Sequence, residues 1–272
     1  MSATLALNKV SCIRSGRTLF SGLDLQLPGG QLLRVAGANG AGKTSLLRLM
    51  CGLLTPTEGQ VLWRGQPLAA QREAWGRELV YLGHAAALKD DLSPLDNLQT
   101  ACTLGGQDVA RADALQALAD AGLRGFERST ARRLSQGQRR RCGLARLVLA
   151  RSAPLWVLDE PFNALDVQAT AWLEGLIRQQ LQRGGSVVLT SHQGVALDGR
   201  RVIGASAVRA ATSPDRALPL THLRDAIARD PALAVQLLRL ANSAHYGNRQ
   251  KVGSIEEAIA RVGMNQVRAL AL

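Results

Sequence analysis

Short apolar runs and longer amphipathic stretches alternate along the first 205 residues of the chain. Four of the runs have the length and composition of buried strands in a largely parallel sheet, and they occupy residues 31–36, 78–82, 155–158 and 186–190. Upstream of them, polar and apolar residues alternate on both sides of residues 14–17, from Thr4 to Leu27, which predicts an antiparallel hairpin. Ser93 followed by Pro94 predicts the start of a helix. The pattern therefore predicts an α/β domain over residues 1–205.

The pattern changes after this point, where strand-like runs give way to short amphipathic helices. Residues 206–214 combine small, charged and proline residues, as linkers do. The pair Asp230-Pro231 predicts one helix start, and residues 254–257, which read S-I-E-E, have the spacing of a capping box that opens another. The sequence thus predicts a linker over residues 206–214 and a short all-α segment over residues 215–272.

Composition narrows the class of protein. The chain has 272 residues, of which 46% are hydrophobic and 20% are charged, so it is expected to be globular. It has no apolar run of membrane-spanning length and no signal-like N-terminal segment, which predicts a cytoplasmic protein. The formal net charge of +12 suits either a polyanion or an anionic membrane surface, but the 3% of aromatic residues is low for a base-stacking platform. No nucleic-acid partner is expected.

The four cysteines show neither C-x-x-C spacing nor neighbouring histidines, which predicts buried reduced thiols. The basic run of residues 139–141 follows a predicted helix start, and a solvated or phosphate-adjacent helix face is the favoured interpretation over a nucleic-acid patch.

A glycine-rich loop between a predicted strand and a helical run carries the strongest chemical signal. Residues 37–44 read G-A-N-G-A-G-K-T, the spacing of a phosphate-binding loop. Its backbone N–H groups and the following helix N-terminus attract phosphates, Lys43 can reach the β- and γ-phosphates, and Thr44 can bind Mg²⁺. The candidate ATP-binding residues are Gly37, Ala38, Asn39, Gly40, Ala41, Gly42, Lys43, Thr44 and Ser45.

The strand at residues 155–158 ends in two acids, Asp159 and Glu160, at the sheet edge where ligands of open α/β folds bind. Asp159 is a candidate Mg²⁺ ligand with Thr44, and Glu160 is a candidate group to polarise an attacking water. Upstream, Ser135 and Gln138 have capping-box spacing. This segment is either a plain helix start or a helix N-terminus that also contacts a γ-phosphate.

These motifs, together with A-L-D at 164–166 and T-S-H at 190–192, resemble in order and approximate spacing the ATP-binding subunits of ABC transporters, over roughly residues 4–200. The resemblance implies a P-loop ABC ATPase domain with a RecA-like core, an antiparallel β subdomain and a helical subdomain. It also implies a head-to-tail homodimer that holds two ATP molecules, in which each phosphate loop faces the partner's signature residues Ser135, Gln136, Gly137 and Gln138. By the same resemblance Glu160 is the general base, His192 contacts the γ-phosphate, and Asp166 belongs to a loop that crosses the dimer interface.

Two positions depart from the family pattern. His84 follows the strand 79–82 where most members have Gln, and Arg14 stands where an aromatic residue usually stacks on adenine. A neutral His can accept a hydrogen bond from a Mg²⁺-bound water, and a guanidinium plane can stack on a purine. Both are candidate ATP-binding residues, and the alternative for Arg14 is an exposed hairpin position.

Longer strings, among them LDEPFNALD and TSHQ, resemble the ATP-binding subunit of the haem exporter of cytochrome c maturation. That implies integral membrane partners, a peripheral position at the cytoplasmic face of a bacterial inner membrane, and no direct contact between haem and this chain. The alternative is a soluble ABC ATPase that acts as a mechanical or regulatory module with an adaptor tail.

The segment 215–272 resembles the start of an HDOD domain, a helical signalling module. It is part of a longer fusion, a splice of two unrelated genes, or an extension that docks on the ATPase. Its end within an apolar helix favours the splice or a truncation.

Overall fold

The computed structural model describes residues 5–14, 16–37, 40–191 and 200–204, and further along only residues 241, 242, 254, 257 and 258. Of residues 200–204 it describes the backbone alone. The chain divides into two compact units, Met1–Thr212 and Ser213–Leu272. No helix within these described residues is long and apolar enough to cross a membrane.

The described strands and helices follow one another in the first unit, with short 3₁₀ helices at Leu68–Ala70 and Ala131–Arg133. In chain order they are β1 (Leu5–Arg14), β2 (Arg17–Leu27), β3 (Leu32–Ala36), α1 (Lys43–Met50), β4 (Glu58–Trp63), β5 (Gln66–Pro67), α2 (Arg72–Glu78), β6 (Leu79–Leu82), α3 (Pro94–Leu104), α4 (Arg111–Asp120), α5 (Gln136–Leu149), β7 (Leu155–Leu158), α6 (Val167–Gln182), β8 (Ser186–Thr190) and β9 (Arg200–Gly204).

The hairpin predicted near the N-terminus is confirmed. β1 and β2 pair antiparallel, with Leu5 opposite Leu27 and Cys12 opposite Phe20. β4 and β5 extend this sheet in the order β2-β1-β4-β5. Alternation turns leucines such as Leu5 and Leu7 inward, where they are almost fully buried.

A second, parallel sheet forms the centre of the domain, in the order β6-β7-β8-β3-β9. All four strands that the apolar runs predicted are present in it. Strands β7 and β8 are buried over their whole length, as in Trp156 and Val188, because helices cover parallel sheets on both faces. β9 was not predicted, since its first residues, Arg200 and Arg201, interrupt the apolar pattern.

Helices α3, α4 and α5 pack together on a core of their own that includes Leu98, Leu118 and Cys142. The predicted start of α3 is confirmed, because Ser93 Oγ accepts a hydrogen bond from Asp96 N at 3.1 Å and Pro94 follows it. Parallel sheet, antiparallel sheet and helical layer together confirm the predicted fold class.

All four cysteines are free and buried, as predicted. Burial raises the pKa of the Cys142 thiol to about 12, so this thiol stays protonated and unreactive near neutral pH.

In the second unit, Ser254 Oγ accepts a hydrogen bond from Glu257 N at 3.2 Å, as the predicted capping box requires. The helix predicted at Asp230-Pro231 lies outside the described residues.

Candidate functional site: a nucleotide cavity at the sheet edge

The glycine-rich loop leads from β3 into α1. Gly42 caps α1 with φ of 90°, and Gly40 has φ of 76°, a left-handed conformation that glycine adopts without strain. Lys43 Nζ donates a hydrogen bond to the carbonyl oxygen of Gly37 at 2.7 Å, which draws the side chain back along the loop. Ala38 and Asn39 lie outside the described residues. The helix N-terminus and the lysine together place positive potential at one spot.

Asp159 joins this loop to the carboxyl edge of the parallel sheet. Thr44 Oγ1 donates to Asp159 Oδ2 at 2.9 Å, so the two predicted Mg²⁺ ligands lie in contact. Asp159 Oδ1 accepts a second hydrogen bond, from Thr190 Oγ1, at 2.7 Å. Only 2% of Asp159 is exposed, and each of its carboxylate oxygens accepts a hydrogen bond from a threonine hydroxyl group.

Glu160 follows in a left-handed conformation, with φ of 50°. Its N–H donates to Thr190 Oγ1 at 2.7 Å, and the residue is 8% exposed. Thr190 therefore connects the two acids through one hydroxyl group. Thr190 belongs to the T-S-H run that carries the family resemblance, but no site role was predicted for it, although a threonine that ends the apolar strand β8 at the ligand edge was an available signal.

These residues surround a cavity of about 530 Å³. Its lining residues are Leu19, Gly40, Gly42, Lys43, Thr44, Ser45, His84, Asp159, Glu160 and Asn163. The predicted His84 is thus at the cavity, and Leu19 and Asn163 are additions that sequence reasoning missed. Arg14 is exposed at the end of β1 and is not among the lining residues, whereas Leu19 of the same hairpin is. His192 lies outside the described residues, immediately after the buried Ser191.

The signature segment begins α5 away from this cavity. Ser135 Oγ accepts from Gln138 N at 3.2 Å, and Gln138 Oε1 accepts from Ser135 N at 2.9 Å. The predicted capping box is therefore present, while Ser135 and Gln136 remain exposed. A contact between these residues and a second nucleotide stays a prediction.

Two neighbouring contacts fix the loop that follows β7. A Cβ at Gly137 would lie 2.7 Å from the carbonyl oxygen of Ala164, so only glycine fits there. Asp166, predicted for an interface loop, accepts a hydrogen bond from Ala169 N at 2.8 Å and caps α6. The loop 160–166 is thus held between α5 and α6.

The basic run on α5, predicted to form a solvated or phosphate-adjacent helix face, contains a buried residue. Arg140 is only 7% exposed, and its guanidinium donates to the backbone carbonyl oxygens of Gly83 and Asp159. Arg139 instead pairs with Asp90 at 2.6 Å, and Arg141 is half-buried. The interpretation of a solvated face is therefore wrong for Arg140, because packing of α5 against β6 and β7 buries that side of the helix.

Comparison with known families gives two matches along the chain. The ABC transporter family matches residues 20–163, and the HDOD domain family matches residues 205–272. A protein named cytochrome c biogenesis ATP-binding export protein CcmA, from Dechloromonas aromatica, is 49% identical over 191 residues, 70% of this chain and 93% of its own length. The protein of the same name from Methylococcus capsulatus is 52% identical over 200 residues, 73% of this chain and 94% of its own length.

Two solved structures have a fold similar to that of this chain. An ABC transporter ATP-binding protein from Pyrococcus furiosus has a TM-score of 0.64 at 24% identity and covers 73% of this chain and 96% of its own. A dimeric ATP-binding cassette in a post-hydrolysis state, bound to ADP and Pi, has a TM-score of 0.65 at 24% identity, over 74% of this chain and 93% of its own. At this identity the likeness concerns the fold alone.

Proposed function

Because the chain belongs to the ABC transporter family of ATP-binding proteins, we propose that it powers an export complex of cytochrome c biogenesis by hydrolysing ATP in the cavity around Asp159 and Glu160. The chain is an ABC-type ATPase by family. The export role is supported by the two relatives named as cytochrome c biogenesis export proteins, which are about 50% identical to this chain over nearly their whole length. The observation that carries the site is the chain of contacts from Thr44 through Asp159 and Thr190 to Glu160.

The phosphates of ATP would lie over the glycine-rich loop. Backbone N–H groups at the start of α1 point toward this space, and Lys43 brings a cation to it. The hydroxyl of Thr44 and the carboxylate of Asp159, in contact at 2.9 Å, are the hard oxygen donors that Mg²⁺ prefers, so the residues fit this ion. When bound there, Mg²⁺ would neutralise charge on the phosphate oxygens.

Glu160 is the general base in this proposal. A water attacks the γ-phosphorus, the bond from that phosphorus to the bridging oxygen of ADP breaks, and the proton of the water passes to the Glu160 carboxylate. His84 lines the same cavity and is proposed to accept a hydrogen bond from a metal-bound water. His192 at the γ-phosphate and Arg14 at the adenine remain proposals from the family resemblance.

A second copy of the chain completes the proposed assembly. Ser135 and Gln136 are exposed, and Val167 beside the Asp166 loop is 88% exposed, unusually high for an apolar residue. A head-to-tail homodimer would cover this surface and bring the signature residues to the partner's nucleotide. We further propose integral membrane partners, a peripheral position at the cytoplasmic membrane face, and haem as the exported cargo without direct contact to this chain.

Glu160→Gln tests the hydrolytic site. The variant should bind ATP as the wild type does but turn over about 100-fold more slowly, the scale expected for loss of one transition-state group. Glu174→Gln, on α6 and paired with Arg178, is the matched control and should keep normal turnover. Lys43→Ala should instead lose nucleotide binding. Wild-type turnover in Glu160→Gln would remove Glu160 from the role of base.

The export role is tested by affinity purification of the N-terminally tagged chain from native membranes, with mass spectrometry of bait and partners. Integral membrane subunits and haem-handling proteins are the expected co-purifying partners. The match of residues 205–272 to the HDOD family favours one second candidate, a soluble ATPase with a signalling adaptor. Soluble signalling, ribosomal or repair partners in place of membrane subunits would overturn the export role in favour of that candidate.

A further inference from the structure

Arg140 lies on α5, five positions after Ser135, and its guanidinium reaches two segments that border the nucleotide cavity. Nη1 donates to the carbonyl oxygens of Gly83 and His84 at 2.8 and 3.2 Å. Nη2 donates to the carbonyl oxygens of Asp159 and Glu160 at 2.7 and 2.8 Å. One side chain therefore holds the backbone after β6 and the backbone after β7 at the same time.

The chemistry of these contacts requires arginine. All five described partners of the guanidinium are main-chain carbonyls, including that of Pro161, which accepts from Nε at 3.4 Å. A planar guanidinium with several donors in fixed directions can bond two segments at once, whereas the ammonium of lysine is a point charge on a flexible stem. Burying a cation without a directly paired carboxylate is costly, and burial accordingly lowers the pKa of Arg140.

The His84 segment is also tied to α5 at its other end. Arg139, the preceding residue, pairs with Asp90 at 2.6 Å and donates to the carbonyl oxygen of Ala131 at 3.0 Å. Nearby, Arg132 pairs with Asp91 at 2.5 Å. Both ends of the segment 83–91 are thus bonded to residues close to the signature segment 135–138.

We propose that Arg140 is a positioning residue for hydrolysis, which fixes the main chain of Glu160 and of His84 relative to α5 so that base, His84 and signature helix keep one geometry. It acts through the backbone and not by touching nucleotide, since it is absent from the cavity lining. The inference rests on the proposed role of Glu160 as base.

The test compares Arg140→Gln, Arg140→Lys, Glu160→Gln and the double variant Arg140→Gln/Glu160→Gln in the full chain. Arg140→Gln should lower kcat about 10- to 100-fold, the cost of misplacing a catalytic group by about 1 Å. The KM for ATP should stay within about threefold, because Lys43 and Thr44 are untouched. The double variant should lose less than the product of the two single losses, since part of the effect of Arg140 passes through Glu160.

Arg146→Gln is the matched control. It also removes a guanidinium from α5, here a half-buried one, and burial lowers the pKa of Arg146 as well, but none of its described contacts is with Asp159, Glu160 or His84. This variant should keep kcat. An equal loss in Arg146→Gln would show a general effect on α5 and overturn the proposal.

Further results separate the possibilities. Folded Arg140→Gln with kcat within twofold of wild type would overturn the proposal, and so would loss of ATP binding in proportion to kcat. If Arg140→Gln does not fold, the same criteria apply to Arg140→Lys. Its kcat should drop at unchanged KM, because one ammonium group cannot bond both segments as the guanidinium does. Wild-type turnover in Glu160→Gln would instead refute the assigned base, whatever the Arg140 variants do.

Discussion

Thr190 offers a quantitative test of the contacts that join the two acids. Its side chain is fully buried, and its hydroxyl donates to Asp159 Oδ1 and accepts from Glu160 N, both at 2.7 Å. Thr190→Val keeps the shape of the side chain and removes both hydrogen bonds. A buried N–H that loses its partner costs about 1–3 kcal/mol, and a hydrogen bond to a charged group contributes about 1.5–3 kcal/mol. Allowing about 1 kcal/mol for the added methyl group, the free energy of unfolding should fall by about 2–5 kcal/mol.

The same substitution should slow hydrolysis. Glu160 is held at φ of 50°, a conformation that costs a residue other than glycine about 1–2 kcal/mol. Without the hydrogen bond to Thr190, part of the force that holds this conformation is lost and the carboxylate moves. We expect kcat to fall about 10-fold or more, with a smaller change in ATP affinity, because Thr44 still contacts Asp159.

Urea unfolding of wild type, Thr190→Val and Thr190→Ser, followed by tryptophan fluorescence, measures the stability effect. All four tryptophans of the chain lie in residues 1–205, so the signal reports on the ATPase unit. Thr190→Ser retains the hydroxyl and should recover most of both kcat and stability. If Thr190→Val matched wild type in stability and kcat, the hydroxyl bridge would have no role and the reasoning would be refuted.

Two further substitutions test the surroundings of the site. Gly137→Ala would place a Cβ 2.7 Å from the carbonyl oxygen of Ala164 and should lower stability by about 1–3 kcal/mol in thermal unfolding, whereas Gly143→Ala, where the nearest atom is 3.8 Å away, should be neutral or stabilising. Asn97→Leu removes a buried amide that bonds the backbone of residues 89–93, so it should lower stability by about 2–4 kcal/mol and speed proteolysis of that segment. An unchanged melting temperature in either Gly137→Ala or Asn97→Leu would contradict the corresponding contact.

The sequence predicted the parts of this structure that depend on near neighbours. Apolar runs predicted four strands of the parallel sheet, and alternation predicted the hairpin, because each pattern repeats within a few residues. Helix starts at Ser93 and Ser135 were found for the same reason, since a cap bonds a residue three positions on. The glycine-rich loop and the acids after β7 were found from motif spacing.

The contacts that the sequence did not predict join residues far apart along the chain. Thr190 lies 31 residues from Asp159, and the contact between Arg140 and Gly83 spans 57 residues. Arg140 sits in a run of three arginines, which is usually a solvated face, and only the packing of α5 buries the middle one. Leu19 was missed because nothing in a hairpin pattern tells which of its residues faces a cavity on another element.

Thr190 and Arg140 act on the same residue from two sides. Thr190 accepts from the N–H of Glu160, and Arg140 donates to its carbonyl oxygen, so both peptide groups that define its backbone conformation are held. Thr190 ends β8 and Arg140 lies on α5, so each element supplies one of these hydrogen bonds. Together the two hydrogen bonds can offset the energetic cost of the left-handed conformation. The proposed base is therefore fixed by its main chain while its side chain borders the cavity, an arrangement that keeps the carboxylate in place when the nucleotide exchanges.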